Sequence, residues 1–328
     1  MRPFPPWRQR DVGHVDDPPH AQEASDELNS DLLQGVVLQA SSFFEVETSC
    51  GSVFCTARSK AVSPLAQAGG IVPGDRVAIT LTPDGRGVIE EVMPRKTQFS
   101  RKVAGKRRDE QVIAANLDQV VIVFAAANPP MKETAINRYL TTAEYCGLRS
   151  VVCINKADLV SIEVLGGKMS VYSDIGYDVI IASTVSGVGI STLRETLSGK
   201  MSALVGPSGV GKSSLISAVE PGLDLAVGDV SGSTGKGRHT TTSGRLIKLA
   251  DGGYVADTPG MREFGFYRIP RQELAWCFRE FRPHIDACKF WDCTHTTEPG
   301  CRLREAVEQG LVSQARYEHY VRLMEEMR

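Results

Sequence analysis

The chain has 328 residues, too many for one typical core and enough for two or three domains. Its composition is that of an ordinary soluble protein, 42% hydrophobic and 23% charged. A formal net charge of -2 gives no global pull towards nucleic acid, so any RNA contact must come from local basic patches. The longest strongly apolar run, Val120 to Ala127, falls far short of the roughly 20 residues that a membrane helix needs.

The first 30 residues lack an apolar signal core. They carry Asp11, Asp16, Asp17, Glu23, Asp26 and Glu27, against an acid-poor transit peptide, and read as a disordered tail over 1–33. From 34 to 94 short β-like runs alternate with turns: Gly35-Val-Val-Leu, Phe43-Phe-Glu-Val, Ser52-Val-Phe-Cys, Pro73-Gly-Asp-Arg-Val-Ala-Ile-Thr-Leu and Gly87-Val-Ile-Glu-Glu-Val. Five such strands with no helical period predict a small barrel, for which the OB-fold is the commonest solution of that size; an SH3-like barrel would look much the same from sequence. Residues 95–110 follow as a basic linker; Arg95 to Arg108 holds seven Lys or Arg and no acid.

The text then changes to α/β over 111–267. Asp118-Gln-Val-Val-Ile-Val-Phe-Ala, Val151-Val-Cys-Ile-Asn, Val179-Ile-Ile-Ala and Ser202-Ala-Leu-Val-Gly read as buried strands, with a helix-like stretch from Glu133 to Cys146. Strands alternating with helices predict a parallel sheet covered on both faces. Residues 268–328 are rich in Arg, aromatics, Cys and His and end in a helical stretch from Ser313.

The chemistry starts at Gly206-Pro207-Ser208-Gly209-Val210-Gly211-Lys212-Ser213-Ser214, which follows an apolar strand and opens a helix. Glycines let the backbone curl so that its N–H groups point at phosphate oxygens, at a helix end that already favours anions. Lys212 is placed to reach β- and γ-phosphates and Ser213 to ligate Mg²⁺. Directly after another strand comes Asn155-Lys156-Ala157-Asp158. A carboxylate at Asp158 accepts from N1–H and the exocyclic amine of guanine, whereas adenine would leave it unpaired. Ser183-Thr184, after the next strand, stands where such sites place a backbone N–H against the guanine carbonyl.

Downstream, Asp257-Thr-Pro-Gly260 follows a short strand; Asp257 would hold Mg²⁺ through water and the Gly260 N–H would sense the γ-phosphate. Between lies Gly237-Arg-His-Thr-Thr-Thr, where Thr240 or Thr241 is the candidate switch threonine. The residue after Gly260 is Met261, and an apolar side chain cannot orient water. His239 can donate or accept near neutral pH and is the candidate catalytic substitute, alongside Lys212. Cys288, Cys293, His295 and Cys301 put three thiolates and an imidazole within 14 residues, the donor set of a closed structural zinc site.

The guanine motif precedes the phosphate loop, the reverse of the ordinary order. Such a permutation is tolerable because the termini of compact domains lie close together at the surface. With Gly-Arg-His-Thr-Thr-Thr, Asp-Thr-Pro-Gly-Met-Arg-Glu-Phe-Gly and the cysteine cluster, the sequence resembles the small-ribosomal-subunit biogenesis GTPases of the RsgA or YjeQ family from about Gly35 to the C-terminus. Pro207 departs from it, since the family's phosphate loop more often has Gln there.

The resemblance implies an N-terminal OB-fold, a circularly permuted P-loop GTPase domain and a C-terminal, partly helical zinc domain acting late in 30S maturation. It matches the four zinc ligands one for one and suggests the role of His239. The partners expected are GTP and GDP, the 30S subunit and 16S rRNA, and no membrane; the cofactors are one Zn²⁺ per chain and Mg²⁺ with GTP. A cytoplasmic monomer is expected. Arg262, Arg268, Arg271, Arg279 and Arg282 form with the linker the expected RNA-facing basic groups. A metabolic P-loop ATPase has no need of Asp158, and a merely structural RNA-binding protein none of Lys212, Ser213 and Asp257.

Overall fold

The computed structural model describes residues 32–62, 70–102, 110–223, 245–257 and 269–327; of residues 100–102, 110, 111 and 257 only the backbone is described. The first five strands are β1 (Leu33–Ala40), β2 (Phe44–Thr48), β3 (Gly51–Ala57), β4 (Arg76–Leu81) and β5 (Gly87–Val92), with the short helix α1 (Ser59–Val62) after β3. They pair in the order β1-β2-β3-β5-β4, and β4 closes on β1. The β3–β5 pair is parallel and the others antiparallel. That closure is the OB arrangement and resolves the choice that strand spacing left open. Alternate residues point inward, so Val37, Val46, Cys55, Val77, Ile79 and Ile89 fill the barrel.

Residues 95–110, read as a linker, include strand β6 (Gln98–Lys102), which pairs antiparallel with β7 (Glu110–Ala115). Arg95 is no solvated linker residue either. Its Nε lies 2.7 Å from Asp75 Oδ1 and its Nη2 2.9 Å from Asp75 Oδ2, and Nη2 also donates to the Gly70 carbonyl at 2.6 Å. A fully buried carboxylate needs such a partner, because an isolated buried charge is costly.

The α/β region holds strands β8 (Gln119–Ala125), β9 (Arg149–Asn155), β10 (Asp178–Ile181), β11 (Met201–Val205), β12 (Arg245–Lys248) and β13 (Tyr254–Asp257). Its helices are α2 (Glu133–Tyr145), α3 (Ile162–Asp174), α4 (Ile190–Leu197) and α5 (Lys212–Val219). The sheet order is β10-β9-β8-β11-β13-β12, with the first five parallel and β12 antiparallel to β13. Val120, Ile122 and Phe124 of β8 pack with Ile136, Leu140 and Leu165 on one face. Val121, Val123 and Ala125 pack with Leu193, Leu197 and Leu215 on the other. Burial on both faces is why β8 has no polar alternation; each such aliphatic side chain contributes about 1.5–3 kcal/mol.

The barrel does not hang from this sheet but extends it. Gln39 of β1 pairs with Arg245 of β12, making a continuous 11-stranded sheet. Arg245 reaches Glu45 at 3.3 Å and Lys248 pairs with Glu47 across the junction.

The C-terminal region has the short helices α6 (Arg282–Ile285) and α7 (Arg302–Glu308) and the longer α8 (Gln314–Glu326). Its core stacks Phe278 on Phe281, with ring centroids 4.7 Å apart, and sets Tyr320 edge-on to both. It docks on α2 through charge: Glu144 accepts from Arg279 Nε at 2.6 Å and Arg282 Nη2 at 2.7 Å. Arg316, 2% exposed, pairs with Glu280 at 2.6 Å and donates to Asn137 Oδ1 at 2.6 Å. Among the described residues, no helix is long and apolar enough to cross a membrane.

Candidate nucleotide and metal sites

In a parallel sheet all strands end at one edge, and ligands bind there. Here Asn155 ends β9, Ser183 follows β10, Gly206 follows β11 and the backbone of Asp257 ends β13. The permuted chain thus assembles the same edge, because strand order in space is kept while order in sequence is not. His239, Thr240, Thr241 and Gly260 lie outside the described residues.

The turn from β11 into α5 depends on two glycines. Gly206 has φ +145°, and a Cβ there would sit 2.0 Å from the Val123 carbonyl oxygen. Gly211 has φ +92°, and its Cβ would lie 2.4 Å from Asn155 Nδ2. Only glycine permits both the backbone conformation and the approach. Lys212 Nζ folds over the loop and donates to the carbonyls of Gly206 and Pro207, each at 2.7 Å. Pro207 itself is tolerated in this turn, and Val210 is buried beneath it.

The guanine motif is fastened to this loop. Asn155, 1% exposed, donates from Nδ2 to the Val210 carbonyl at 3.0 Å. Lys156, at φ +58°, donates from Nζ to the Gly209 carbonyl at 2.8 Å and also to that of Asn128. The buried Asn155 Oδ1 has no hydrogen-bond partner, the one orphaned polar atom at this edge among the described residues. The Ala157 N–H donates to the Ala182 carbonyl, which ties the motif to the end of β10. Asp158 Oδ1 accepts from Ser183 Oγ at 2.5 Å, and that hydroxyl accepts from the N–H groups of Val185 and Ser186.

The Ser183 N–H donates to the Val188 carbonyl at 2.9 Å inside the turn, so of the Ser183-Thr184 pair the serine amide is already engaged. What Ser183 provides is the hydroxyl that aims Asp158. The anchoring carbonyls of Asn128, Gly209 and Val210 had no signal in the sequence, because a carbonyl belongs to every residue type.

The metal cluster gathers as expected. The candidate ligand atoms of Cys288, Cys293, His295 and Cys301 all lie within 4.8 Å of one another. Cys288 Sγ is 3.9 Å from Cys301 Sγ, and His295 Nδ1 is 3.4 Å and 3.5 Å from these two sulfurs. Zinc–sulfur and zinc–nitrogen bonds in a tetrahedron give edges of about 3.8 Å and about 3.6 Å, so the donors fit a metal ion of that size. Burial pushes the Cys293 thiol up to about 12, against the His295 N–H that lowers it. A divalent cation favours the thiolate and reverses that preference. Burial alone would raise the Glu298 carboxyl, yet the hydroxyl and N–H of Thr294 and the N–H of Thr297 hold it at about 2.

Three of the arginines expected to face RNA are engaged, half-buried, by other groups of the protein. Arg279 and Arg282 hold Glu144, Arg279 also lies 4.1 Å over the Tyr177 ring, and Arg271 donates to the Met324 carbonyl. A guanidinium satisfied by a buried carboxylate is an interdomain fastener. Arg262 and Arg268 lie outside the described residues.

The sequence profile of the RsgA GTPase family matches residues 92–267. A protein of Gemmatimonas aurantiaca named small ribosomal subunit biogenesis GTPase RsgA is 44% identical, over 89% of this chain and 97% of that one. Its namesake in Moorella thermoacetica is 42% identical over 78% of this chain and 84% of its own. Among solved structures, YjeQ from Thermotoga maritima superposes with a TM-score of 0.75 at 36% identity, covering 90% of this chain and 98% of that one. YloQ, described as a circularly permuted GTPase, gives 0.70 at 28% identity, over 92% and 97%. The chain belongs to the RsgA GTPase family: it is a GTP hydrolase whose permuted G domain stands between an OB barrel and a Cys3His metal-site region.

Proposed function

We propose that this GTPase acts in the cytoplasm, as a monomer, in late maturation of the 30S ribosomal subunit, binding 16S rRNA and hydrolysing GTP faster when docked. The observation that carries the nucleotide reading is the fastening of the guanine motif to the phosphate loop through Asn155–Val210 and Lys156–Gly209. Base-reading and phosphate-holding groups then keep a constant spacing, which favours one nucleotide length and one base. Lys212 leaves its loop carbonyls to meet the β- and γ-phosphates, and Asp158, aimed by Ser183, accepts from guanine. The amide of Thr184, next along the turn, takes the contact with the guanine carbonyl.

Ser213, Asp257 and one of Thr240 and Thr241 offer the hard oxygen donors that suit Mg²⁺, which neutralises charge on the phosphate oxygens when bound. Gly260 senses the γ-phosphate, and His239 orients the attacking water. Zinc is the ion for Cys288, Cys293, His295 and Cys301, and four protein donors complete a tetrahedron, so its role is structural.

The ribosomal part of the reading draws on the names of the relatives and on the barrel, whose architecture suits nucleic acid. With Met261 in place of a water-orienting side chain, the isolated protein turns over slowly. The test is GTP turnover with purified 30S subunits and 50S subunits as control. Stimulation by 30S alone of at least about tenfold, roughly 1.4 kcal/mol of barrier, is expected, weakening as salt rises. The His239→Ala protein should keep labelled GDP binding and lose the stimulated turnover. Equal stimulation by both subunits, or none, overturns the ribosomal reading.

A further inference from the structure

The segment between Cys293 and Glu298 has no regular secondary structure, yet it must hold two of the four metal ligands. His295 sits there at φ +61°, a backbone conformation that side chains other than glycine rarely adopt. Something outside the ligand set must therefore stabilise this loop.

Its polar groups are allocated one by one. Glu298 Oε1 accepts from the Thr294 N–H at 2.8 Å and the Thr294 hydroxyl at 2.5 Å. Oε2 accepts from the N–H groups of Thr296 and Thr297, each at 3.1 Å. The N–H of His295, the one left between them, donates to the Cys293 sulfur. On the opposite side α8 supplies donors to the carbonyls: Tyr320 to Thr294 at 2.6 Å and Tyr317 to His295 at 2.8 Å.

We propose that Glu298 is a positioning residue of the metal site, whose carboxylate gathers four donors of the 294–297 loop, fixes Cys293 and His295 in ligating geometry, and so slows metal release. It touches no ligand atom and acts through the backbone. The inference rests on the zinc reading of the four ligands. A carboxylate suits this task because both oxygens only accept, and every group facing them donates. Glutamine has the same shape but turns one acceptor into a donor, which then opposes either the Thr294 pair or the Thr296 and Thr297 amides.

The test uses the full-length zinc-loaded protein and its Glu298→Gln, Glu298→Asp and Thr294→Val variants. Zinc release to a chromogenic chelator gives the rate. Cobalt substitution gives a visible spectrum that reports whether the tetrahedral three-thiolate set is kept. Glu298→Gln should retain the cobalt spectrum and release zinc on the order of 10–100-fold faster, the usual effect of outer-shell partners. Glu298→Asp should release at a rate between the two, because the charge is kept at shorter reach. Thr294→Val, which removes one of the four donors to Glu298 together with the 2.8 Å contact between the Thr294 and Thr296 hydroxyls, should accelerate release by a smaller factor.

A Glu298→Gln protein that folds and releases zinc at the parental rate overturns the proposal. If that variant does not fold, parental rates in both Glu298→Asp and Thr294→Val overturn it equally. A parent chain that binds no zinc sinks the zinc reading and this inference together, whereas a tightly bound parent zinc with insensitive variants sinks this inference alone.

Discussion

Around the phosphate loop, position is set largely by backbone: Gly206 presses on the Val123 carbonyl, and the side chains of Asn155, Lys156 and Lys212 all end on loop carbonyls. In the C-terminal region it is set by side chains: Glu298, Tyr317 and Tyr320 hold the ligand loop, and Phe278, Phe281 and Tyr320 form the core beside it. The first region rests on a parallel sheet buried on both faces; the second has three α-helices, two 3-10 turns and no strand among the described residues. A site shaped by backbone tolerates no added atom but survives without its ligand. A small region shaped by side chains would draw folding free energy from a metal bound at its Cys3His cluster.

Removing a metal ligand should separate the two most sharply. Cys293→Ala should abolish stoichiometric zinc and the cooperative unfolding of the C-terminal region, since structural zinc contributes on the order of 10 kcal/mol or more. Labelled GDP should bind within about threefold of the parent, roughly 0.6 kcal/mol. Loss of GDP binding with the metal would show that the regions are one folding unit.

The reverse perturbation is Gly206→Ala. The added methyl meets the Val123 carbonyl at an unfavourable φ, so the loop must move. GDP affinity should fall by at least about a hundredfold, roughly 2.7 kcal/mol, with metal content unchanged. Parental affinity would show that the loop adapts more freely than its backbone packing implies.

Asp158→Asn tests chemistry rather than shape. The parent should prefer GTP to ATP by at least about a hundredfold, on the order of 3 kcal/mol, and the variant should shift towards xanthosine nucleotides. Competition against labelled GDP measures both, and equal displacement by ATP in the parent would remove the assigned role of Asp158.

The smallest effect is expected at the seam. Glu144→Gln leaves Arg279 and Arg282 without their carboxylate. It should destabilise the C-terminal transition by about 1–3 kcal/mol, sparing metal content and nucleotide affinity. An unshifted transition would mean that charge does not hold the regions together.

Much of this was readable in the residues. The strand Val151 to Asn155 and the helix from Glu133 lie where the apolar pattern places them, and α8 runs over most of the stretch from Ser313. Strand β6 escaped notice because Gln98-Phe-Ser-Arg-Lys reads as a charge run, not as alternation. The bond from the Ser183 hydroxyl to Asp158 has no signal in the sequence, since a turn's hydrogen bonds depend on which groups fold back on it.

What the sequence alone determined is the local chemistry: a glycine loop before a lysine, an Asn-Lys-x-Asp after a strand, and three cysteines with a histidine. Those groups act through residue type and short spacing, which the chain carries wherever it folds. Tertiary structure decided which charges meet water and which meet each other. Arg279 finds Glu144 across 135 positions of sequence, and Arg245 finds Glu45 across 200. No local pattern encodes such pairs, because each exists only once the regions that carry its partners have packed together.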